Sequence, residues 1–317
     1  MPSSAWLAAV AVAAIAAPAQ SQNVPFRYRG LCEASAAMIV GPNRFAVASD
    51  DSEIIRIYER GKAEPLAGLD LPVGEVGDFE AAAISGDRLY WTTSHSLTKD
   101  GEDKAKRKQL IETSMAGGRL AVVGRRVDLR TRISTLLAPP EWPLREPPEW
   151  PLEASLNIEG MAGSPRGDLL LGLRAPLKGG KAAVLRISDP HRLTSGSATA
   201  AAAGNGIKWL NLGQRGIRSL EGGGMGARAY LILAGATGES KQEPALFWWD
   251  GMSSNVTAGP TLVAKNALPD GEGLPSRDVV PEAVIRWKDG TIQVLGDNEA
   301  NCTEGGNAWF PSLEIRP

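Results

Sequence analysis

The sequence predicts an all-β chain folded as a β-propeller of five four-stranded blades. Three observations carry this. A glutamate followed by a small residue recurs at Glu33, Glu80, Glu159, Glu221 and Glu282. Each copy precedes a turn rich in Gly, Asp, Asn or Pro and then a strand-like run. The last copy is followed by one strand too few, while residues 24–29 offer a strand-like piece with no module of its own. An N-terminal strand completing the last blade closes such a ring like a clasp. A β-sandwich does not account for five equivalent units. The 127–157 insertion leaves room for a sixth blade.

The chain has 317 residues, 43% hydrophobic and 22% charged, with net charge -2. That is enough apolar material for a large core. The near-neutral balance gives no reason to expect nucleic acid, whose binders carry a clustered basic surface. Residues 5–18 form an uncharged run closing on Ala17-Pro18-Ala19. The run is too short to span a bilayer, and its small-residue end suits signal peptidase. We therefore expect a signal peptide over 1–19, a periplasmic or extracellular protein, and no transmembrane segment in the mature chain. Export gives meaning to the cysteine count. Cys32 and Cys302 are the only two, and in an oxidising compartment they are expected to be bonded beside the ring closure. With only His95 and His191 beside them, they are too few for a structural zinc site.

The mature chain, 24–317, reads as one domain, expected to be monomeric. The first module places strands at 34–40, 45–48, 54–58 and 64–69. The second places them at 80–84, 89–93, 109–113 and 120–127, with a solvated charged loop at 99–108. A Pro/Trp-rich insertion follows at about 130–156. It repeats Pro-Pro-Glu-Trp-Pro-Leu from Pro139 and again from Pro147. Proline this dense excludes helix and sheet centre, so the insertion is an extended loop carrying Trp142 and Trp150. The third module has strands at 169–173, 182–187 and 207–210, with His191 in a loop. The fourth has strands at 230–234, 245–249 and 261–264. The fifth begins at Glu282 and continues at 291–295 and 309–315.

The repeat also places a site. Fifteen residues after Glu80, Glu159, Glu221 and Glu282 stand His95, Arg174, Ala236 and Asp297; the equivalent in the first module is Asp50-Asp51. In an antiparallel hairpin the start of one strand lies beside the end of the next. The inner strands of a propeller line its channel. The five glutamates, their fifteenth residues, and Asp78, Asn157 and Ser219 two before them are therefore expected around one channel mouth. Two readings of the glutamates stay open. Each carboxylate could clip backbone amides of a neighbouring blade. Alternatively the ring could face a water-filled pocket and bind Ca²⁺, with Glu80, Glu159 and Glu282 as candidate ligands.

Residues peculiar to one module point to chemistry. His95 could act as acid or base. Arg174 and Arg218 could hold an anion. If they are ligand groups, removing His95 or Arg174 should spare stability. No nucleophile elbow, phosphate loop or His-Glu-x-x-His motif is present.

On several stretches the chain resembles the bacterial domain of unknown function family 3616. They are Leu31-Cys32-Glu33-Ala34-Ser35-Ala36, Leu89-Tyr90-Trp91-Thr92-Thr93-Ser94-His95-Ser96, Asn157-Ile158-Glu159-Gly160-Met161-Ala162, Arg174-Ala175-Pro176-Leu177 and Arg215-Gly216-Ile217-Arg218-Ser219-Leu220-Glu221. The resemblance covers about 28–297. It implies a propeller and no particular activity. More distantly the chain looks similar to exported propellers grouped with phytase-like esterases, by fold alone. The expectation is an exported propeller binding a small polar ligand or cation at an acidic mouth. The alternatives are a phosphoester hydrolase using His95, Arg174 and Arg218, and an interaction scaffold using the insertion.

Overall fold

The computed structural model describes residues 23–130, 133, 156–197, 207–238, 242–265, 279–298, 302 and 308–316. The leader, the Pro/Trp duplication and the 198–206 alanine run lie outside the described residues. The strands form five four-stranded antiparallel sheets. Blade 1 holds β2 (Ala36–Gly41), β3 (Arg44–Ala48), β4 (Ile54–Glu59) and β5 (Leu71–Pro72). Blade 2 holds β6 (Phe79–Ser85), β7 (Arg88–Thr93), β8 (Leu110–Ala116) and β9 (Arg119–Val127). Blade 3 holds β10 (Asn157–Gly163), β11 (Leu169–Ala175), β12 (Ala182–Ile187) and β13 (Lys208–Leu210). Blade 4 holds β14 (Gly216–Glu221), β15 (Tyr230–Gly235), β16 (Ala245–Trp249) and β17 (Val256–Ala258). Blade 5 holds β18 (Val280–Arg286), β19 (Ile292–Asp297), β20 (Trp309–Ile315) and the N-terminal β1 (Asn23–Arg29).

The core lies between the blades, not within them. Each blade is buried on both faces, so its strands read as near-continuous apolar runs. Leu169 and Leu171 of β11 pack with blade 2, while Leu170 between them packs with blade 4. The pleat sends successive side chains to opposite faces. Five such clusters fill five inter-blade gaps. The inner strands β2, β6, β10, β14 and β18 contact one another in a closed ring around the axis. Small residues beside that axis have a steric cause. A Cβ on Gly160 would stand 2.6 Å from Cγ2 of Ile217 on the next inner strand.

The ring closes through β1, which runs antiparallel to β20 from Asn23↔Ile315 to Arg29↔Trp309. Tyr28 stacks on Phe310 and meets Phe45 and Tyr58 edge-on. Its hydroxyl accepts from the Gly61 amide at 3.0 Å. Cys32 and Cys302 are bonded, with Cα atoms 5.5 Å apart across 270 residues of sequence.

Three local expectations are corrected. The fourth strand of blade 1 is Leu71–Pro72, not 64–69, where only a bridge from Pro65 to Tyr58 forms. The fourth strand of blade 4 is Val256–Ala258, not 261–264. There Asp250 Oδ1 accepts the Met252 and Ser253 amides at 2.8 Å, and this tight turn brings the chain back early. Outer strands pair on one edge and bury few side chains, so their pattern is weak. Thirdly, His191 lies in a short helix, α1 (Pro190–Thr194), started by Asp189, whose side chain accepts the Arg192 amide at 3.4 Å.

Candidate functional site at the channel mouth

Four inner strands share a break in register at the same place. The shift falls between Phe79 and Ala81, Ile158 and Gly160, Ile217 and Ser219, and Pro281 and Ala283. A bulge leaves one residue out of the ladder and re-aims its side chain. The four bulge residues are Glu80, Glu159, Arg218 and Glu282. The repeated position is thus occupied by three glutamates and one arginine.

Glu221 does not belong to that ring. It ends β14, five residues beyond Gly216 at the mouth, and accepts the Arg286 amide of blade 5 at 3.4 Å. It clips a neighbouring blade at the opposite end of the channel, and burial pushes its pKa up to about 8. Glu33 is displaced as well. It lies before β2 in a bridge with Asp297, and its Oε1 accepts from Ser49 Oγ at 3.2 Å and the Asp50 amide at 3.0 Å. Glu33, Asp50 and Asp51 bring carboxylate oxygens within 4.8 Å of one another.

His95 is corrected more sharply. Its backbone has φ 58, which turns the side chain away from the mouth and buries it fully. Nδ1 lies 2.9 Å from the Thr93 carbonyl, and Nε2 accepts the Leu129 amide at 3.1 Å. Those two partners fix the neutral tautomer with the proton on Nδ1. Burial lowers its pKa to about 4. The imidazole pins the chain where it leaves blade 2 and cannot act as acid or base at the mouth. The sign for stability follows. In the unfolded chain the ring protonates below about 6.5, while the folded ring resists protonation until about 4. The unfolded state binds more protons in that window, so stability is present above pH 6.5 and falls as pH drops toward 4. Thermal unfolding between pH 7.5 and 4.5 is expected to show this fall, and His95→Gln should flatten it. His95→Ala should destabilise by about 2–4 kcal/mol, through a cavity and the loss of the acceptor for the Leu129 amide.

Most of the remaining predicted residues converge, but Ser219, whose Oγ accepts the Val284 amide of blade 5 at 3.1 Å, and Asp297 do not line the pocket. A pocket of about 810 Å³ opens at the mouth, within the range of roughly 300–1,000 Å³ usual for small-ligand sites. Asp50, Asp51, Asp78, Glu80, Asn157, Glu159 and Arg174 line it. Arg218 and Glu282 stand beside it, joined to each other by an ion pair. Glu159, almost fully buried, accepts on Oε1 from Arg174 Nη1 at 2.6 Å and from Asn157 Nδ2 at 3.0 Å. Among the described residues its Oε2 has no hydrogen-bond partner, and Arg218 Nε is 4.0 Å away. Arg174 also donates to the Ala236 carbonyl at 3.1 Å. Burial opposes the charge of Arg218, but Glu282 and Glu159 outweigh it and raise its pKa. Arg174 and Arg218 are therefore counter-ions of Glu159 and Glu282.

Asp78 is paired by a residue that sequence reasoning missed. Arg107 Nη1 lies 2.6 Å from Asp78 Oδ1, and its Nη2 donates to Ser96 Oγ at 2.8 Å. Asp78 also accepts from Ser94 Oγ. Arg107 comes from the charged loop expected to be only solvated, so that loop is one wall of the pocket. No local signal marks one cation of a mixed-charge run as the one that turns inward.

Glu80 is different from all of these. Among the described residues nothing donates a hydrogen bond or ion pair to it. Burial first, then the charges of Glu159, Asp78, Glu282 and Asp50, raises its pKa well above the usual carboxylate value. The pocket lining as a whole has seven acidic and four basic side chains, so an excess of negative charge is built into it.

The fold and this axial pocket define the class: a five-bladed β-propeller with an acidic channel mouth. No family model and no curated protein matches the chain. Among solved structures it is similar to the glutaminyl cyclase of Myxococcus xanthus. Identity there is 14% over 94% of this chain and 100% of that one, with TM-score 0.50. It also resembles the PQQ-bound aldose sugar dehydrogenase of Streptomyces coelicolor, at 11% identity over 93% and 99% of the two chains, TM-score 0.42. A mannose phosphorylase of Leishmania mexicana aligns at 13% identity over 86% and 78%, TM-score 0.40. At these identities the likeness is one of fold, and the activities named are diverse. Among the described residues no helix is long and apolar enough to cross a membrane.

Proposed function

We propose that the channel mouth binds a small cation-bearing ligand, with Glu80 as its anchor. The carrying observation is that Glu80, among the described residues, stands unpaired near four other carboxylates, Glu159, Asp78, Glu282 and Asp50, at the rim of a pocket. A partly buried carboxylate in that position either takes up a proton or meets a cation. Glu159 Oε2, which also lacks a donor, and Asp50 supply further oxygens for Ca²⁺ or for an ammonium. The resemblance to family 3616 stays within this proposal and brings no activity. Export through the alanine-rich leader belongs to it as well, supported by a disulfide of the kind that persists in oxidising compartments.

The test is thermal unfolding with calcium, with ethylammonium and with chelator. One of the cations should raise the melting temperature of the native protein. Glu80→Gln should abolish that rise, yet unfold at the same or a higher temperature without added cation, because it removes an uncompensated charge. Absence of any cation response, together with a destabilised Glu80→Gln, would sink the reading.

The raised pKa of Glu80 supports one other reading. A buried carboxyl with a raised pKa holds its proton to higher pH than usual and can serve as general acid, the role that His95 cannot take. In that case Glu80→Gln loses hydrolytic activity on a phosphoester panel while cations have no effect on stability.

A further inference from the structure

A second pocket, of about 550 Å³, lies at the other end of the propeller between blades 4 and 5. The channel mouth gathers the N-terminal ends of the inner strands. This groove gathers the C-terminal end of β18 and the β14–β15 connection. Arg228, Arg286 and Arg316 line it together with Trp248, Ile292 and Ile315, and no carboxylate does so among the described residues.

Its arginines are held rather than loose. Arg286 donates through Nη1 to the Arg228 carbonyl at 3.0 Å and through Nη2 to the Gly222 carbonyl at 3.2 Å. The guanidinium carbons of Arg228 and Arg286 both lie 5.5 Å from the centroid of the Trp248 indole. One ring therefore orients two like charges. Two guanidiniums over one ring repel each other unless an anion sits between or beside them. Of the nearby carboxylates, Glu221 accepts the Arg286 backbone amide and attracts its guanidinium, and Glu314 bridges Arg60 at 2.6 Å and Arg316 at 3.5 Å, but neither lines the groove. Neither Arg228 nor Arg286 forms an ion pair among the described residues. The planar guanidinium fork matches the oxygens of phosphate, sulfate or carboxylate. The rest of the lining is apolar, so the groove also offers contact area to a body attached to the oxyanion.

From these contacts we infer that the groove is a binding site for a small oxyanion carried on an apolar or aryl group. It is independent of the acidic mouth in place and in sign of charge.

The test uses phenyl phosphate, followed by ligand-observed NMR and calorimetry on the intact protein. Saturable binding is expected. Inorganic phosphate and phenol, each carrying half of the recognised chemistry, should bind at least about tenfold more weakly, about 1.4 kcal/mol. Arg228 is exposed, so Arg228→Ala should leave the melting temperature in place while weakening phenyl phosphate about tenfold or more. Arg228→Lys, which keeps a point charge but not the fork, should fall between. Glu80→Gln should bind phenyl phosphate as the native protein does. The inference is overturned if Arg228→Ala binds as tightly as native, if binding never saturates, or if Glu80→Gln abolishes it.

Discussion

Replacing Glu159 with alanine is expected to destabilise the protein by about 3–5 kcal/mol. Removing one partner of a buried ion pair leaves the other charge uncompensated, and that typically costs this much. Glu159 serves two arginines at once. Arg174 binds it at 2.6 Å, and Arg218 approaches to 4.0 Å from the next blade. Without it, among the described residues Arg174 keeps only the Ala236 carbonyl as a hydrogen-bond partner, and Arg218 keeps Glu282 and the Pro281 carbonyl at 3.3 Å. The Asn157 amide loses its acceptor as well. Glu159→Gln keeps an acceptor for Asn157 and should recover part of the loss. Arg174→Ala should also destabilise, by a smaller margin, since Arg174 is part-exposed and Arg218 remains near Glu159. That replaces the expectation that Arg174 could be removed without effect on folding. Equilibrium unfolding in urea checks all three. A neutral Glu159→Ala would mean that the carboxylate is solvated and that the two arginines are free for a ligand.

The second large effect concerns the ring closure. Cys32→Ser with Cys302→Ser is expected to lower stability by about 4–5 kcal/mol. The bond closes a loop of 270 residues, and the entropy it removes from the unfolded chain grows with the logarithm of loop length. At roughly 2–4 °C per kcal/mol for domains of 150–250 residues, the midpoint should drop by on the order of 10 °C. The fold should survive, because β1 and β20 remain paired through seven register positions and Tyr28 keeps its aromatic cage. Reduction of the native protein should lower the midpoint by the same amount. A midpoint insensitive to reductant would show that the clasp strand alone holds the ring.

Much of the propeller is legible in the chain. Val24-Pro25-Phe26-Arg27-Tyr28-Arg29 reads as a strand without a module, and it closes blade 5. Runs such as Ile54-Ile55-Arg56-Ile57-Tyr58 read as strands because both faces of a blade are buried, so propensity and burial agree. The cysteines at the two ends mark the closure because a ring must bring its ends together. The outer strands of blades 1 and 4 were misplaced because one paired edge leaves too little pattern to read.

The site was legible as a place but not as a set of partners. Counting from a repeated glutamate identified Glu80, Glu159 and Glu282 at one level. It failed at Glu221, because the fourth blade puts Arg218 at the bulge and the nearest glutamate three residues later. Sequence by itself determined the strand repeat, the clasp, the cysteine pair and the acidic inner strands, since these rest on local periodicity and composition. The tertiary structure alone decided which side chains face the pocket. A bulge shifts register by one residue and so reverses the face, a positive φ at residue 95 rotates one imidazole into the core, and Arg107 reaches Asp78 from 29 positions away. Each is a matter of where backbones meet in space, which residue spacing along one strand does not encode.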